Sequence, residues 1–591
     1  MKLQSLLYPT KQICNEEALY LHREEGFIMF DGYFNLFYLE KYHKYCDISD
    51  LHLELMVKNV KRIILMHDRD VLYEVSNISD QESEVVLELP YDLYVNGVFW
   101  FKVELTDANR PWIVKGTYEG RVNESRDIKV AIGICTFKRE KYVLRNLKSM
   151  MDYFENNPEI RALFHVFLVD NGSTLTGLEE YISLQNRAYE IGGNRLLTLI
   201  ENKNNGGTGG FTRAMEEAIS RKEDLGLTNL MLLDDDAVFD PEIFSRIVGF
   251  LKALKSEYED ITVGGAMWRE DMPYMLYAFG EHHYKFSVES PAHMLDLREF
   301  DTCIRPEIVS PDTEKSLYSG WWCCTYSMKI ITKDNLPMPL FIHFDDILFC
   351  RQHSEGRIAL IPGIGVWHQG FELRFPGVNH YYNTRNQLIT VAVMDEIRPI
   401  KVARWATKQL AAPLLTLRYE EMNLAYQGIK DFLKGPDWLD TIDGENLHLE
   451  IMNQYKRNVV MRPLREILPA EDYQKLKVEK LSEEARLTAN MKFWKERKQG
   501  KSLKKIISLN GWLLPPDKKM GYYCNADSPW SLYKKGKVLL YEPEADRGYI
   551  ETRKISKGIK CAGIIACSTV LLLVKYSLIE RKYKIRANKE C

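Results

Sequence analysis

An apolar run that stops at three carboxylates limits what this chain can fold into more than any other segment. Residues 229–237 read NLMLLDDDA, a pattern typical of a strand buried on both faces of a parallel sheet. The acids would lie at the strand's carboxyl end, where open α/β sheets bind ligands. Asp234 and Asp236 would point the same way, as a Mg²⁺ or Mn²⁺ site for a nucleotide requires. An acidic turn before a helix starting near Asp240 fits the same residues.

The sequence around this run alternates between strand and helix patterns. The predicted strands, each followed by polar residues, are 128–135, 164–169, 196–200 and 229–233. This alternation predicts an α/β fold with a parallel, doubly wound sheet. Because the carboxyl ends of parallel strands meet at one edge, the polar residues after them should line the same edge as the acids.

A glycine-rich loop follows the third predicted strand. Residues 204–211 read NNGGTGGF and lead into a helical pattern. Glycines before a helix let backbone N–H groups approach an anion closely. The loop lacks the GK[ST] of a P-loop and the spacing of GxGxxG, so anion binding and a flexible hinge both stay open.

Three later motifs carry residues suited to sugar chemistry. Trp321 and Trp322 follow a glycine, and such a pair can be core or a stacking platform for a sugar. Asp345 and Asp346 follow an apolar-rich stretch, where a carboxylate could act as a general base. His368 follows another apolar segment. It could be structural, or it could join two aspartates around a divalent ion.

The length and the flanking patterns predict three domains. A chain of 591 residues is too long for one core. Residues 1–125 alternate in short strands, which predicts a β-sandwich that could bind carbohydrate or serve only for packing. Residues 126–395 hold the α/β pattern, and residues 396–591 are helical and basic. Membrane association is an expectation for this last domain.

Charge, cysteines and hydropathy limit the partners and the compartment. The net charge of -4 argues against a nucleic-acid binder. The 11 cysteines form no CxxC pair, which indicates a reducing compartment. The N-terminus shows no signal-peptide pattern. The longest apolar run, 561–574, is shorter than the roughly 18 to 20 residues of a spanning helix. With its basic flank it could lie on an anionic membrane, or it could be a buried helix.

Seven motifs in one order resemble a known family. They are TFKR, VDNG, NNGGTGGF, LLDDDA, GWW, FDD and WHQG. This order resembles the inverting family 2 glycosyltransferases of the GT-A (Rossmann-like) fold, and within them the bacterial galactofuranosyltransferases that polymerise galactan. The resemblance covers about residues 25–395 and includes YFNLFYLEKY, from Tyr33, and HYYNTRNQL, from His380. It implies a GT-A catalytic domain between an N-terminal β-sandwich and a C-terminal helical region.

The resemblance also implies residue roles. Asp346 would be the catalytic base. The residues expected to bind the donor are Arg139, Asp170, Asn205, Gly206, Asp234 and Asp235. Those expected to contact the acceptor are Trp321, Trp322 and Glu281. Those expected to hold Mn²⁺ or Mg²⁺ are Asp234, Asp236 and His368. The chain departs from its relatives after the base motif, where it continues ILF, and this leaves the acceptor selectivity open.

The activity that the resemblance implies is inverting transfer of galactofuranose from UDP-galactofuranose. The acceptor would be a hydroxyl of a glycan or lipid-linked glycan in bacterial cell-surface polysaccharide synthesis. The enzyme would be cytoplasmic, peripheral on the inner face of the plasma membrane, and homo-oligomer formation stays open. A rhamnosyl- or other hexosyltransferase of the same fold is one alternative. A non-catalytic carbohydrate-binding scaffold is a second, against which the intact set of acids and histidine argues.

Overall fold

The computed structural model describes residues 1–311, 313–496 and 499–590. The chain divides into two compact units. The first consists of Met1–His283, Val288–Leu336 and Phe349–Gln369. The second consists of Tyr284–Ser287, Pro337–Leu348 and the chain from Gly370 onward. The division into domains at 1–125, 126–395 and 396–591 stays a prediction.

Two antiparallel sheets form the N-terminal part of the first unit. One has the strand order Lys2–Ser5, Ile113–Val122, Ile48–Lys58, Ser83–Leu89. The other has the order His22–Glu24, Phe27–Met29, Val98–Leu105, Val60–His67, Asp70–Ser76, with Phe37–Tyr38 beside Val98–Leu105. Leu53 of one sheet and Leu65 and Phe101 of the other belong to one buried core. The predicted β-sandwich is therefore confirmed, with the helix Leu39–Tyr45 beside it.

A mixed sheet forms the rest of the first unit. Its strand order is Leu197–Glu201, Phe164–Asp170, Val130–Thr136, Asn229–Asp234, Cys323–Ser327, Thr262–Arg269, Met275–Ala278, Leu295–Asp296, with Ile358–His368 also paired to Thr262–Arg269. The first four strands run parallel and lie within two residues of their predicted positions. The longer helices are Glu140–Asn156, Glu179–Gly192, Gly206–Ser220 and Glu242–Ala253. The predicted parallel, doubly wound arrangement is confirmed for these four strands. Strand Cys323–Ser327 pairs antiparallel with Asn229–Asp234 and with Thr262–Arg269, which the sequence pattern did not predict.

Shorter elements complete this part of the chain. The helices are Pro158–Arg161, Lys222–Leu225, Phe300–Cys303 and Pro306–Val309, and the strands are Glu281–Tyr284, Ser287–Glu289 and Leu317–Tyr318. A further helix, Asp345–His353, begins at the FDD motif.

The second unit is mainly helical, as predicted. Its helices include Asn379–Met394, Pro399–Leu415, Tyr419–Phe432, Pro436–Thr441, Gly444–Asn458, Leu464–Ile467, Ala470–Leu476, Glu483–Glu496, Leu503–Ile507 and Ile555–Glu590. It also contains a small sheet that the sequence analysis did not predict, with the order Arg462–Pro463, Arg547–Thr552, Lys537–Glu542, Gly521–Tyr523. Leu539 and Tyr541 of this sheet are buried in a local core.

The C-terminal helix is longer than the apolar run that predicted it. It extends over 36 residues, Ile555–Glu590, and not only over 561–574. Among the described residues, its part Ile555–Asn588 is the one stretch long and apolar enough, by length and composition, to cross a membrane. One face is buried, with Cys561, Leu572 and Tyr576 in the core of the second unit. The alternative of a buried helix therefore describes one of its faces, and contact with an anionic membrane stays a prediction.

Candidate active site

The acidic triplet lies at the carboxyl edge of the doubly wound sheet. Strand Asn229–Asp234 runs between Val130–Thr136 and Cys323–Ser327. The apolar residues from Leu230 to Leu233 are fully buried, so the strand reaches a polar environment only at Asp234. This is the arrangement predicted from the apolar run.

A backbone bridge brings His368 to the acids. The amide of Val238 donates to the carbonyl of Trp367 at 2.8 Å, and the amide of Trp367 donates back at 2.7 Å. His368 follows directly, and its Nε2 lies 3.3 Å from Oδ1 of Asp236. The ligand atoms of Asp234, Asp236 and His368 all lie within 4.8 Å of one another. Two carboxylates and one imidazole therefore converge from two separate strands.

The charges in this cluster shift its pKa values. Burial works against an ionised Asp236, but the hydrogen bond from His368 and the charges of His368 and Arg139 hold its pKa below the usual value. Burial also works against a charged His368, yet its hydrogen bond to Asp236 and the charges of Asp234 and Asp236 raise its pKa. His368 Nδ1 faces the carbonyl of Gln369 at 2.9 Å, so Nε2 is the nitrogen presented to the acids.

We expect metal affinity at this cluster to depend on pH through His368. A metal ion needs the neutral imidazole and so competes with the proton on Nε2. Because the pKa of His368 is raised, Mn²⁺ affinity should rise as the pH increases through that value. Mn²⁺ titrations from about pH 5 to about pH 8 measure this rise, and His368→Gln should flatten it. A flat wild-type profile would contradict the assignment.

Asp235 faces the protein interior. Its Oδ2 accepts from Oγ1 of Thr136 at 2.6 Å, and its Oδ1 lies 3.4 Å from Nη1 of Arg139. Arg139 also pairs with Asp236. Burial raises the pKa of Asp235 to about 7, against the hydrogen bond from Thr136 and the charge of Arg139. Arg139 and Asp235 thus lie at the acidic edge, and their roles toward a donor stay predictions.

Two residues that the sequence analysis missed hold the backbone after the acids. Arg145 Nη2 donates to the carbonyls of Asp236 and Ala237 at 3.1 and 3.0 Å. Asn146 Nδ2 donates to those of Asp235 and Ala237, both at 2.9 Å. Asn146 is buried within the apolar face of helix Glu140–Asn156, and a polar residue at an apolar position is the signal that could have revealed it.

The glycine-rich loop forms the start of a helix and not a hinge. Asn205 is the residue before helix Gly206–Ser220, and Gly206 has a φ of +72°. Asn171 Nδ2 donates to the carbonyl of Gly206 at 2.9 Å, which ties this helix start to the end of strand Phe164–Asp170. The helix therefore presents its N-terminus near the carboxyl edge of the sheet, as anion binding requires.

The close packing around position 210 requires a glycine, and substitution of Gly210 tests this directly. A Cβ at Gly210 would lie 1.9 Å from Sγ of Cys135, whereas a Cβ at Gly207 would meet nothing within 4 Å. We expect Gly210→Ala to lower the free energy of unfolding by about 1–3 kcal/mol. Gly207→Ala, the matched control, should leave it unchanged or slightly higher. Urea denaturation measures both, and equal stability of the two variants would contradict the packing.

Asp170 shapes the loop that follows its strand. Its carboxylate accepts hydrogen bonds from the backbone amides of Gly172, Thr174 and Leu175 at 2.9, 2.7 and 2.9 Å. Asp170 is fully buried. The side chain therefore fixes this part of the sheet edge, and its contact with a nucleotide stays a prediction.

The residues expected to contact the acceptor differ in their surroundings. Trp321 is buried against Phe211, with a ring separation of 5.4 Å. Trp322 is partly exposed, and its carbonyl accepts from the amide of Asp234 at 3.4 Å. Burial raises the pKa of Glu281, although Ser290 and Tyr318 donate hydrogen bonds to it. The backbone of Trp322 thus lies beside that of Asp234, and its indole donates to the carbonyl of Gly265 at 3.1 Å, whereas the ring of Trp321 is buried.

Asp346 follows a strained loop in the second unit. Phe341, His343 and Phe344 have φ values of +74°, +65° and +68°, in a region that residues other than glycine rarely adopt. Strained backbone of this kind is concentrated at functional sites and persists only where surrounding contacts hold it. The chain then enters helix Asp345–His353, and Asp346 Oδ1 accepts from the amide of Ile347 at 2.7 Å.

Asn386 holds this loop, a role that the sequence analysis did not assign. Its Nδ2 lies 3.1, 2.8 and 3.0 Å from the carbonyl oxygens of Leu340, Ile342 and His343. Arg385 Nε donates to Oδ1 of Asn386 at 2.8 Å, which orients the amide. Both side chains are buried. They belong to the segment HYYNTRNQL. An adjacent arginine and asparagine within a mostly buried helix indicate side chains that hydrogen-bond to other parts of the chain.

We expect Asn386→Ala to reduce both stability and turnover. Loss of its amide removes the donor to the part-buried carbonyls of Ile342 and His343, whereas the carbonyl of Leu340 keeps its hydrogen bond of 2.7 Å from Arg385 Nη2. The loss should lower the free energy of unfolding by about 1–3 kcal/mol. Displacement of the loop should lower kcat by about 100-fold and change the KM for the donor little. Urea denaturation and steady-state kinetics measure both effects. Asn423→Ala removes a hydrogen bond to Glu420 of 3.1 Å and is the control. Equal kcat in the two variants would contradict the role of Asn386.

Comparison with known proteins defines the class. Residues 131–291 match the sequence model of Glycosyl transferase family 2. This segment contains the parallel strands and the acidic triplet. The segment 131–291 therefore has the GT-A fold of family 2 glycosyltransferases, as the motif order predicted.

Two named proteins are similar to most of the chain. Galactofuranosyltransferase GlfT2 from Mycolicibacterium smegmatis is 23% identical over 486 residues, which cover 77% of this chain and 71% of that protein. The protein of the same name from Mycobacterium tuberculosis is 22% identical over 454 residues, covering 71% and 67%. Among solved structures, one that is similar is mannosyltransferase PcManGT from Pyrobaculum calidifontis in complex with GDP-Man and Mn²⁺. The match has a TM-score of 0.31 and 12% sequence identity, and it covers 52% of this chain and 76% of the mannosyltransferase chain.

Proposed function

We propose that this protein is a metal-dependent, inverting galactofuranosyltransferase that uses UDP-galactofuranose as its donor. The observation that carries the proposal is the convergence of Asp234, Asp236 and His368 within 4.8 Å at the carboxyl edge of the sheet. The similarity to two galactofuranosyltransferases over more than two thirds of the chain supports the choice of sugar.

The cluster has suitable donors for a divalent ion. Carboxylate oxygens suit Mn²⁺ and Mg²⁺, and an imidazole nitrogen is also a common ligand of transition metals. Asp234, Asp236 and His368 would hold the ion. When bound, it supplies positive charge that offsets the negative charge growing on the leaving diphosphate.

The reaction needs a base because an acceptor hydroxyl is a poor nucleophile at neutral pH. Asp346 would take the hydroxyl proton as the oxygen attacks the anomeric carbon. The new carbon–oxygen bond forms as the bond to the diphosphate breaks, so UDP leaves from the opposite face and the anomeric centre inverts. Arg139, Asp170, Asn205, Gly206 and Asp235 would position the donor. Trp321, Trp322 and Glu281 would shape the acceptor side.

The acceptor is proposed to be a glycan or lipid-linked glycan of the cell surface. A nucleotide-sugar donor and a lipid-linked acceptor meet at the cytoplasmic face of the plasma membrane. The enzyme would therefore act there as a peripheral protein.

A panel of nucleotide sugars tests the proposed donor. Purified protein would be incubated with each donor in the presence of Mn²⁺, Mg²⁺ or a chelator, and the release of the nucleoside diphosphate measured. Metal-dependent release of UDP from UDP-galactofuranose alone is the expected result. Preference for another donor would mean that the enzyme transfers a sugar other than galactofuranose. Absence of both turnover and nucleotide binding would favour a non-catalytic scaffold.

A further inference from the structure

We propose that the C-terminal helix and the segment 503–513 form a docking surface for an anionic membrane. The proposal extends the proposed function, because a lipid-linked acceptor would be reached from that surface. Vesicle binding is measured without donor or acceptor, so its failure can be distinguished from a failure of the transferase assignment.

One face of helix Ile555–Glu590 is fixed to the second unit along most of its length. Cys561, Ile564, Leu572, Tyr576, Ile579, Tyr583 and Ala587 are buried. The ring of Tyr583 stacks on Phe432 at 5.5 Å. Arg586 Nη2 pairs with Asp440 at 2.7 Å. The buried positions extend over about 40 Å, so the helix lies along the protein and does not leave it to cross a bilayer.

The opposite face of the same helix is apolar and exposed. Ile555, Ile559, Val574 and Leu578 are 78%, 69%, 74% and 62% exposed. Ala562, Gly563, Ala566, Val570 and Leu573 are also exposed. An apolar stripe of this length on a soluble unit is uncommon unless something covers it.

A second exposed apolar segment is attached to the start of this helix. Leu503, Ile507 and Leu513 are 71%, 67% and 69% exposed. Arg553 donates hydrogen bonds to the carbonyls of Gly511 and Leu514 at 2.8 and 2.7 Å, which fasten the segment just before the helix begins. Two apolar surfaces of the same unit are therefore held next to each other.

The charges around these surfaces identify the occupant. The sequence has no acid between Ile555 and Ile579, and exposed basic residues lie at both ends of the apolar stripe. They are Lys554, Lys560, Lys575, Arg581 and Lys582. Lys501 precedes the second segment and Lys504 lies within it, and both are exposed. A second copy of this face would bring lysine against lysine, whereas anionic lipid headgroups complement the charge while acyl chains cover the apolar residues.

Flotation with vesicles tests the proposal. The full chain would be mixed with vesicles of phosphatidylcholine alone or of phosphatidylcholine with phosphatidylglycerol. We expect binding to the anionic vesicles that weakens with salt. Substitution of both Ile559→Asp and Val574→Asp should lower the bound fraction at least about tenfold. Leu93→Asp with Val460→Asp, at exposed apolar sites elsewhere, is the matched control and should bind like the wild type.

Two further measurements keep the outcomes separate. Thermal denaturation and UDP release should be the same in both double variants and in the wild type, because the substituted side chains are exposed. Equal flotation of the Ile559/Val574 variant and the control would overturn the proposal, as would a wild type that binds neither vesicle. A dimer that this variant disrupts, without vesicle binding by the wild type, would assign the face to a second copy and also overturn it.

Discussion

Asp346→Asn should lower galactofuranosyl transfer by about 100- to 10,000-fold, the range expected for loss of a general base. The asparagine has nearly the same shape but cannot take the proton of the acceptor hydroxyl. Donor binding should be unchanged, because the proposed metal ligands and donor contacts are other residues. Single-turnover transfer and titration with UDP would be measured on the same preparation.

A matched acid makes this experiment specific. Asp437 lies in the first turn of helix Pro436–Thr441, as Asp346 lies in the first turn of helix Asp345–His353. Asp437→Asn should transfer at the wild-type rate. Comparable turnover in Asp346→Asn and Asp437→Asn would remove Asp346 from the role of base.

Asp236→Ala should weaken metal-dependent donor binding by about 100-fold or more. Even residues that only support a metal ligand typically contribute 10- to 100-fold, and Asp236 is itself a proposed ligand. The substitution also removes the partner that lies 3.3 Å from His368 Nε2. Calorimetric titration with UDP in Mn²⁺ and in chelator measures the metal-dependent part of the binding free energy.

The control for this substitution is Asp224→Ala. Asp224 is an exposed acid of the same unit and pairs with Arg221 at 3.8 Å. Its loss should change neither the Mn²⁺ dependence nor the affinity for UDP. A metal titration of Asp236→Ala that matches that of Asp224→Ala would mean that Asp236 is not a ligand.

The position of the two acids of the candidate metal cluster was predictable because the local sequence determines where their strand ends. The apolar residues from Leu230 to Leu233 require a buried strand, and the strand must end at Asp234. His368 could be proposed only as a candidate, since its meeting with Asp236 depends on the bridge between Val238 and Trp367. Pairing between segments so distant along the chain leaves no local pattern in either of them.

Other features depend on tertiary contacts and were not predicted. The glycine-rich segment left a hinge and an anion site open. The distinction came from the hydrogen bond of Asn171 to the carbonyl of Gly206 and from the close approach of Gly210 to Cys135. The role of Asn386 depends on three carbonyl groups of a loop more than 40 residues earlier. The small sheet of the second unit lies among helical, basic segments, where short strands carry a weak pattern.

The most direct test of the proposed function is transfer itself. The protein would be incubated with UDP-galactofuranose, Mn²⁺ and a panel of synthetic lipid-linked glycans, and the products analysed by mass spectrometry and NMR. We predict addition of galactofuranose with an anomeric configuration opposite to that in the donor, and no product in the presence of chelator. Addition with retained configuration, or transfer of a different sugar in preference to galactofuranose, would contradict the proposed reaction.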